Sequence, residues 1–344
     1  MGSKIEEPTE VSAERRRSGR PDKRVSMADV AAEAGVSGQT VSRVVNDSPR
    51  VDPETRVRVE AAMEMLGYRP HRAARALRTG RTQTIGLIVS TLATVGNSRM
   101  LQAVADAASA RGYALVVMTL AGPDSVVAVF ERLRDQGVDG AIVLNEATAF
   151  ARDAGAPSGI EVVVVDSPPD SRFGIAQTDH FTGAVDATRH LLDLGHSTVV
   201  HVAGPARSFA AAERERGWRA ALGDAPVPAL LRGDWSARSG YAAGLQLDAD
   251  ATAVFAANDQ MALGLLRALA ERGRRVPEDV SVIGFDDLED AADYRPPLTT
   301  VRQDFDTLGA AAVEMLVEAI EGARTPAFSS IPASVVIRAS TAPR

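Results

Sequence analysis

The 344 residues carry 45% hydrophobic and 24% charged side chains, ordinary for a globular chain long enough for two or three domains. Cysteine is absent and only Lys4 and Lys23 among the 38 basic residues are lysines, which excludes thiolate metal sites, cysteine nucleophiles, and phosphate-loop or Schiff-base lysines in the body of the chain. The net charge of −7 averages two unlike parts: residues 1–81 hold 16 basic and 12 acidic groups, the remainder 22 and 33, so a basic head suited to a polyanion precedes an acidic body.

Residues 1–24 are polar and without period, and are expected to be a disordered basic arm ending in the cluster Arg15 to Arg24. They lack the apolar stretch of a signal peptide, and no apolar run reaches the length of a membrane span, so a cytoplasmic chain without membrane contact is expected. From Val25 the pattern turns helical. Ser26 with Asp29 is an N-cap arrangement, and Met27, Val30, Ala31 and Ala34 follow on one face. Gly35 breaks this helix and Ser37 can cap a second one, whose apolar residues Val41, Val44 and Val45 share a side. Asp52-Pro53 starts a third, read as running through Val57, Ala61, Met65 and Leu66 to Gly67.

The first two helices make a helix-turn-helix, because a small residue (Ala31), a turn glycine (Gly35) and an apolar residue early in the second helix (Val41) are what close crossing requires. From its Ser37 cap the second helix presents Gly38, Gln39, Thr40, Ser42, Arg43 and Asn46, polar groups with no carboxylate among them, suited to base edges in double-stranded DNA. The run His71-Arg72-Ala73-Ala74-Arg75-Ala76-Leu77-Arg78 is helical in composition yet too short to be stable alone in water. It reads as a hinge helix and linker over 71–81. Its three arginines suit phosphates, Leu77 is a candidate wedge between base steps, and Arg72, Ala74 and Leu77 are the candidate DNA contacts.

From residue 82 onward apolar strands alternate with helices. Strands are expected at 85–89, 114–118, 140–144, 162–165, 199–202, 253–256, 280–284 and 334–337, and helices at 99–111, 125–136, 180–194, 208–222, 236–247, 258–273 and 304–321. Near-continuous Val, Ile and Ala strands separated by helices imply parallel sheets covered on both faces. The length suits two doubly wound subdomains, the chain breaking its alternation at 166–180. The expected organisation is therefore an arm (1–24), an all-α helix-turn-helix head (25–70), the hinge (71–81), and an α/β effector-binding and dimerisation core (82–344). Ligands of open parallel sheets bind beyond the carboxyl ends of the strands. Those ends carry Asn145, Asp166, Asn258 and Asp286, with Trp235 at the start of a helix. Acceptors, amides and one flat aromatic suit a neutral polyol, although Asn258 and Asp286 could be helix caps and Trp235 could be core. There is no G-x-G-x-x-G, Walker A, H-E-x-x-H or G-x-S-x-G, and the five histidines lack metal spacing. Neither an enzyme, a cofactor nor a metal is expected.

The segments VSMADVAAEAGVSGQTVSRVVND and VDPETRVRVEAAMEMLGYRPHRAARALRTG resemble the head and hinge of the lactose repressor (LacI/GalR) family. The likeness continues through LLDLGHSTVVHVAGP, RGDWSARSGY, AANDQMALG and IGFDDLEDAADYRPPLTTVRQDF, covering about residues 25–340. It implies a periplasmic-binding-protein-like core whose subdomains are joined by three crossing strands, near 166–180 and 298–335. The implied activity is repression of sugar-utilisation genes from a palindromic operator, released when a galactoside-like sugar binds the core. By resemblance Gln39 and Arg43 read bases, Leu77 is the minor-groove wedge, and Asn145, Asp166, Arg214, Trp235, Asn258, Asp286, Gln303 and Phe305 surround the effector. Arg214, Gln303 and Phe305 enter on the resemblance. Gly38 stands where the resemblance would put an operator-reading tyrosine, Ala210 where it would put a serine near the sugar, and Thr94-Val95-Gly96-Asn97 also departs, so operator and sugar identity do not carry over. The chain ends at Arg344 without a leucine-heptad helix, so a homodimer is expected. A co-repressor or activator sense, and a sugar-binding protein without a regulatory role, stay open as alternatives.

Overall fold

The computed structural model describes residues 25–46, 48–68, 80–120, 122, 125–154, 159–322 and 327–344. The expected arm (1–24) and the hinge residues Arg72, Ala74 and Leu77 lie outside the described residues. The chain forms two compact units, 1–80 and 81–344.

In the first unit, α1 (Met27–Ala34) starts at Ser26, whose hydroxyl accepts from Asp29 N while the Asp29 carboxylate accepts from Ser26 N at 2.8 Å. It stops at Gly35, which takes the left-handed conformation (φ 65°). Ser37 caps α2 (Gly38–Val45), and Asp52 with Pro53 starts α3 (Pro53–Leu66). Val30, Ala31, Ala34, Val41, Val44, Val59 and Ala62 bury against one another. On α3, Val57 and Met65 are 64% and 71% exposed, whereas Val59 and Ala62 are buried with residues of α1 and α2. Apolar residues lie on both sides of α3, so periodicity alone did not decide which side the other helices cover.

The second unit contains two six-stranded sheets. The first joins β1 (Thr84–Val89), β2 (Ala114–Thr119), β3 (Gly140–Leu144), β4 (Glu161–Val165), β5 (Gly174–Thr178) and β11 (Phe328–Ile331) in the order β11-β5-β4-β3-β1-β2. The second joins β6 (Val200–Ala203), β7 (Leu231–Arg232), β8 (Ala253–Ala256), β9 (Ser281–Asp286), β10 (Thr299–Arg302) and β12 (Ser334–Val336) in the order β12-β10-β9-β8-β6-β7. Every pairing is parallel except β10 with β12. Helices α4 (Val95–Ala110) and α11 (Phe305–Glu321) cover one face of the first sheet, α5 (Val126–Asp135) and α6 (Glu146–Ala154) the other. On the second sheet α7 (His180–Asp193) and α8 (Phe209–Leu222) oppose α9 (Ala237–Gln246) and α10 (Asp259–Glu271). The fold is thus a helical head followed by two doubly wound α/β subdomains.

The chain passes between the subdomains after β5, after β10 and after β11. Strands β5, β7, β10 and β11 and helix α6 were not expected. These strands are short; β5, β10 and β11 carry Thr, Ser or Gln and β7 is only Leu-Arg, so their pairing comes from their neighbours rather than from an apolar run. In each sheet the winding direction reverses beside the first strand of the subdomain, between β1 and β3 and between β6 and β8. A doubly wound sheet opens a crevice there.

Candidate effector cavity and helix-turn-helix surface

A cavity with about 480 Å3 of space free of protein atoms lies between the subdomains. The first subdomain contributes Thr94, Gly96, Asn97, Met100, Asn145, Glu146, Asp166 and Phe305; the second contributes Ser208, Ala210, Arg214, Trp235, Asn258, Asp286 and Gln303. All eight residues expected around an effector therefore line one space. The strand ends aim their side chains into it through unusual backbone: Asn145 (φ 47°), Asp166 (φ 55°), Trp235 (φ 73°) and Asp286 (φ 115°) all lie in the left-handed region. Non-glycine residues adopt it at a cost, and such strain concentrates at functional sites.

Arg214 sits at the centre, 3% exposed. Its place follows from α8, on which Ala210, Ala211, Arg214, Gly217, Trp218 and Leu222 form the buried stripe. The guanidinium donates to Asp286 Oδ1 at 3.3 Å, to Ala257 O, and to His180 Nδ1 at 3.3 and 3.4 Å, and it stacks 3.7 Å from the Phe285 ring centre. With Nδ1 accepting, the His180 proton resides on Nε2, which faces Asp166 Oδ1 at 2.9 Å. The same Asp166 oxygen accepts from Thr178 N at 3.1 Å. Asp286, Arg214 and His180 are thus joined by hydrogen bonds beneath the cavity, and His180 Nε2 lies against Asp166 of the other subdomain without a hydrogen bond among the described residues. Burial pushes the Asp286 carboxyl up to about 6, against the pull of Arg214 and helped by Asp166. Burial likewise draws Arg214 below the usual arginine range, with Asp286, Asp166 and Asp259 holding it up. Behind them Asp259 is fully buried and raised well above the carboxylate range by burial and by Asp286, although Thr300 and Leu288 donate to it.

Trp235 closes the space. Its Nε1 donates across the cleft to Glu146 Oε1 at 2.9 Å, and the back of its ring lies against Gly204, where a Cβ would fall 2.5 Å from Cζ2. Asn258 Oδ1 caps α10 by accepting from Met261 N, while its Nδ2 donates to Trp235 O at 3.1 Å. It is therefore both a cap and a wall of the cavity; Asp286 is not a cap. Trp235 is half-buried, and the core tryptophan is Trp218, whose Nε1 donates to Val199 O. Gln303 is buried, and its Oε1 has no hydrogen-bond partner among the described residues.

In the first unit Ser37, Gly38, Gln39 and Arg43 are exposed, and Thr40, Ser42 and Asn46 are half-buried. The Ser37 hydroxyl is engaged as the α2 cap and with Thr40 Oγ1, and Asn46 Nδ2 donates back to Ser42. Gln39 and Arg43, four residues apart on α2, therefore share one exposed face.

Residues 26–71 match the profile described as bacterial regulatory proteins, lacI family, and residues 188–341 match a periplasmic binding protein-like domain. The lactose operon repressor of Escherichia coli (strain K12) is 37% identical over 329 residues, spanning 93% of this chain and 91% of that protein. The chain belongs to the lacI family of bacterial regulatory proteins. Among solved structures, the lac repressor dimer bound to operator and the anti-inducer ONPF superposes with a TM-score of 0.83 at 37% identity, over 93% of this chain and all of that one. The transcriptional regulator CelR–cellobiose complex superposes with a TM-score of 0.69 at 33% identity, over 92% and 100%. As a lacI-family regulator the protein is not an enzyme. Among the described residues no group of His, Asp or Glu could hold a metal ion, and no helix is long and apolar enough to cross a membrane.

Sequence reasoning on this lacI-family chain missed Glu146, His180, Met100 and Ser208, while Asn97 had entered only as part of the departing loop 94–97. Glu146 follows Asn145 at the start of α6, a helix of nine residues that was itself not expected. His180 had a signal: it follows Asp179, the cap of α7, at a crossing between the subdomains.

Proposed function

We propose that this lacI-family regulator is a sequence-specific DNA-binding repressor whose grip on a near-palindromic operator is loosened by a sugar held in the core cavity. The observation that carries this reading is that one chain joins an acid-free polar helix surface on a helix-turn-helix to a cavity walled by carboxylates, amides and an indole. Carboxylates and amides hydrogen-bond paired hydroxyls while an aromatic face covers the C–H side of a sugar ring. Asn145, Asp166, Arg214, Trp235, Asn258, Asp286, Gln303 and Phe305 are the proposed effector contacts. Ser37, Gly38, Gln39, Thr40, Ser42, Arg43 and Asn46 are the proposed DNA contacts of the head, with Arg72, Ala74 and Leu77 those of the hinge.

The relatives support a homodimer placing two heads in successive major grooves, with paired hinges in the minor groove between them. Such a protein acts in the cytoplasm. A sugar that binds better to one arrangement of the two subdomains shifts the pair of heads away from DNA-competent spacing. Few lysines exist, so arginine supplies nearly all phosphate contact, and affinity falls steeply with salt.

The test is selection of bound duplexes from a random-sequence pool by the full chain, followed by titration of the selected DNA with neutral sugars. A near-palindrome released by at least one sugar is expected. Enrichment of no sequence at all would overturn the DNA reading, and a sugar that tightens binding would establish the co-repressor sense instead.

A further inference from the structure

The polar groups around the cavity are unevenly committed. Apart from the Gln303 amide and the Thr94 and Ser208 hydroxyls, the side-chain donors of the lining are already engaged: Asn145 Nδ2 donates to Asn97 Oδ1, Asn258 Nδ2 to Trp235 O, Trp235 Nε1 to Glu146, and Arg214 to Asp286, His180 and Ala257 O. The acceptors are not. Glu146 Oε2, Asp166 Oδ2, Asp286 Oδ2 and the buried Gln303 Oε1 accept no hydrogen bond from the described residues. Asp286 is paired with Arg214, and the charge of Asp166 also acts on that guanidinium. Glu146 has no cation beside it among the described residues; its one partner is the neutral Trp235 indole.

We propose that Glu146 is a specificity-determining residue that fixes the charge of the ligand. Its Oε1 holds the indole in place, and its Oε2 receives a hydroxyl or an ammonium group of the bound molecule. The occupant is therefore a donor-rich, uncharged or amino-substituted sugar, and sugars bearing a carboxylate or phosphate are excluded. The physical reason is that an anion brought against Glu146 meets a like charge in a half-buried cleft, with the one guanidinium that lines the cavity among the described residues already committed to Asp286, His180 and Ala257 O. This rests on the sugar reading of the cavity.

The test uses the full-length protein and matched sets: galactose, galactosamine and galacturonate; glucose, glucosamine and glucuronate; and cellobiose and lactose as neutral disaccharides. Affinity is measured by calorimetry, with thermal shift as a check on folding. The variants are Glu146→Gln, which keeps an oxygen for Trp235 and removes the charge, and Glu146→Ala, which removes both. The wild type is expected to bind a neutral sugar and its amino analogue and to reject the uronate. Glu146→Gln should lower the amino-to-neutral affinity ratio by about tenfold, the value of one charge-assisted hydrogen bond, and admit the uronate. Glu146→Ala should also weaken the neutral sugar. A uronate bound by the wild type as tightly as its neutral partner overturns the inference. So does a Glu146→Gln protein whose ratios are unchanged while neutral binding persists, which leaves the sugar reading standing. Failure of every sugar to bind overturns both.

Discussion

Replacing Gly204 by alanine puts a methyl group against the back of the Trp235 indole. The new Cβ would lie 2.5 Å from Cζ2 and 2.6 Å from Cζ3, whereas ordinary contact begins near 3.4 Å, so the ring must retreat by about 1 Å. It cannot do so freely, because its Nε1 is tied to Glu146 and its carbonyl to Asn258. Overpacking of this kind costs about 1–3 kcal/mol, which in a unit this large lowers the melting temperature by roughly 3–10 °C. The indole moves into the space a sugar would occupy, and loss of a well-set aromatic contact weakens ligand affinity by about tenfold. DNA affinity without ligand should be unchanged. Calorimetric melting and ligand titration of Gly204→Ala, Trp235→Leu and the double variant check the cause, since removing the ring should relieve the alanine. A double variant whose losses are simply additive would refute the reasoning, because the clash requires both side chains.

Two buried groups make opposite contributions to acid stability. The folded Asp286 carboxyl, raised to about 6 by burial, holds its proton more tightly than the unfolded one, so its contribution is greatest near pH 4 and is lost as pH rises to 6. His201 is lowered to about 4 by burial between the Phe255 and Trp218 rings, so its contribution is present above pH 6.5 and is lost as pH falls toward 4. Each is worth roughly 3 kcal/mol, so urea titrations from pH 4 to 7 should show Asp286→Asn more acid-labile and His201→Gln less so than the wild type; parallel curves contradict the assignment. Ser26→Ala removes the capping box of α1 and should cost the head about 1 kcal/mol, visible in denaturant melts of the full chain as an earlier head transition, with the core transition unmoved. Arg43→Ala should cost about 1–3 kcal/mol toward selected DNA and relax preference at one base position; a uniform loss across all sequences would make Arg43 a phosphate contact instead.

The parts legible in the sequence are those whose physics is local. Caps such as Ser26, Ser37 and Asp52 need only their own neighbours, and strands such as β3 and β9, buried on both faces, are continuous apolar runs. Asn145, Asp166, Trp235, Asn258 and Asp286 could be picked out because strand ends in parallel sheets are where ligands sit. Arg214 could not, since Glu213-Arg214-Glu215-Arg216 looks like a solvated charge run. Its burial depends on the register of α8 against the sheet, although its spacing from Ala210 and Trp218 carried the signal. Strand β10, with two threonines and an arginine, is a strand because β9 beside it offers a free edge. The cross-cleft bond between Glu146 and Trp235 joins residues far apart in sequence, and no local pattern encodes it.

Coupling between the head and the cavity is what makes the proposed regulator respond to sugar, and the most direct test measures that coupling from both sides. Fluorescence anisotropy gives the affinity of the full chain for selected duplex DNA with and without saturating sugar, and calorimetry gives sugar affinity with and without saturating DNA. Linkage requires the two factors to be equal. Sugar should weaken DNA binding, and DNA should weaken sugar binding, by the same factor of about five-fold or more. DNA affinity that stays the same at saturating sugar, with the sugar demonstrably bound, would contradict this coupling.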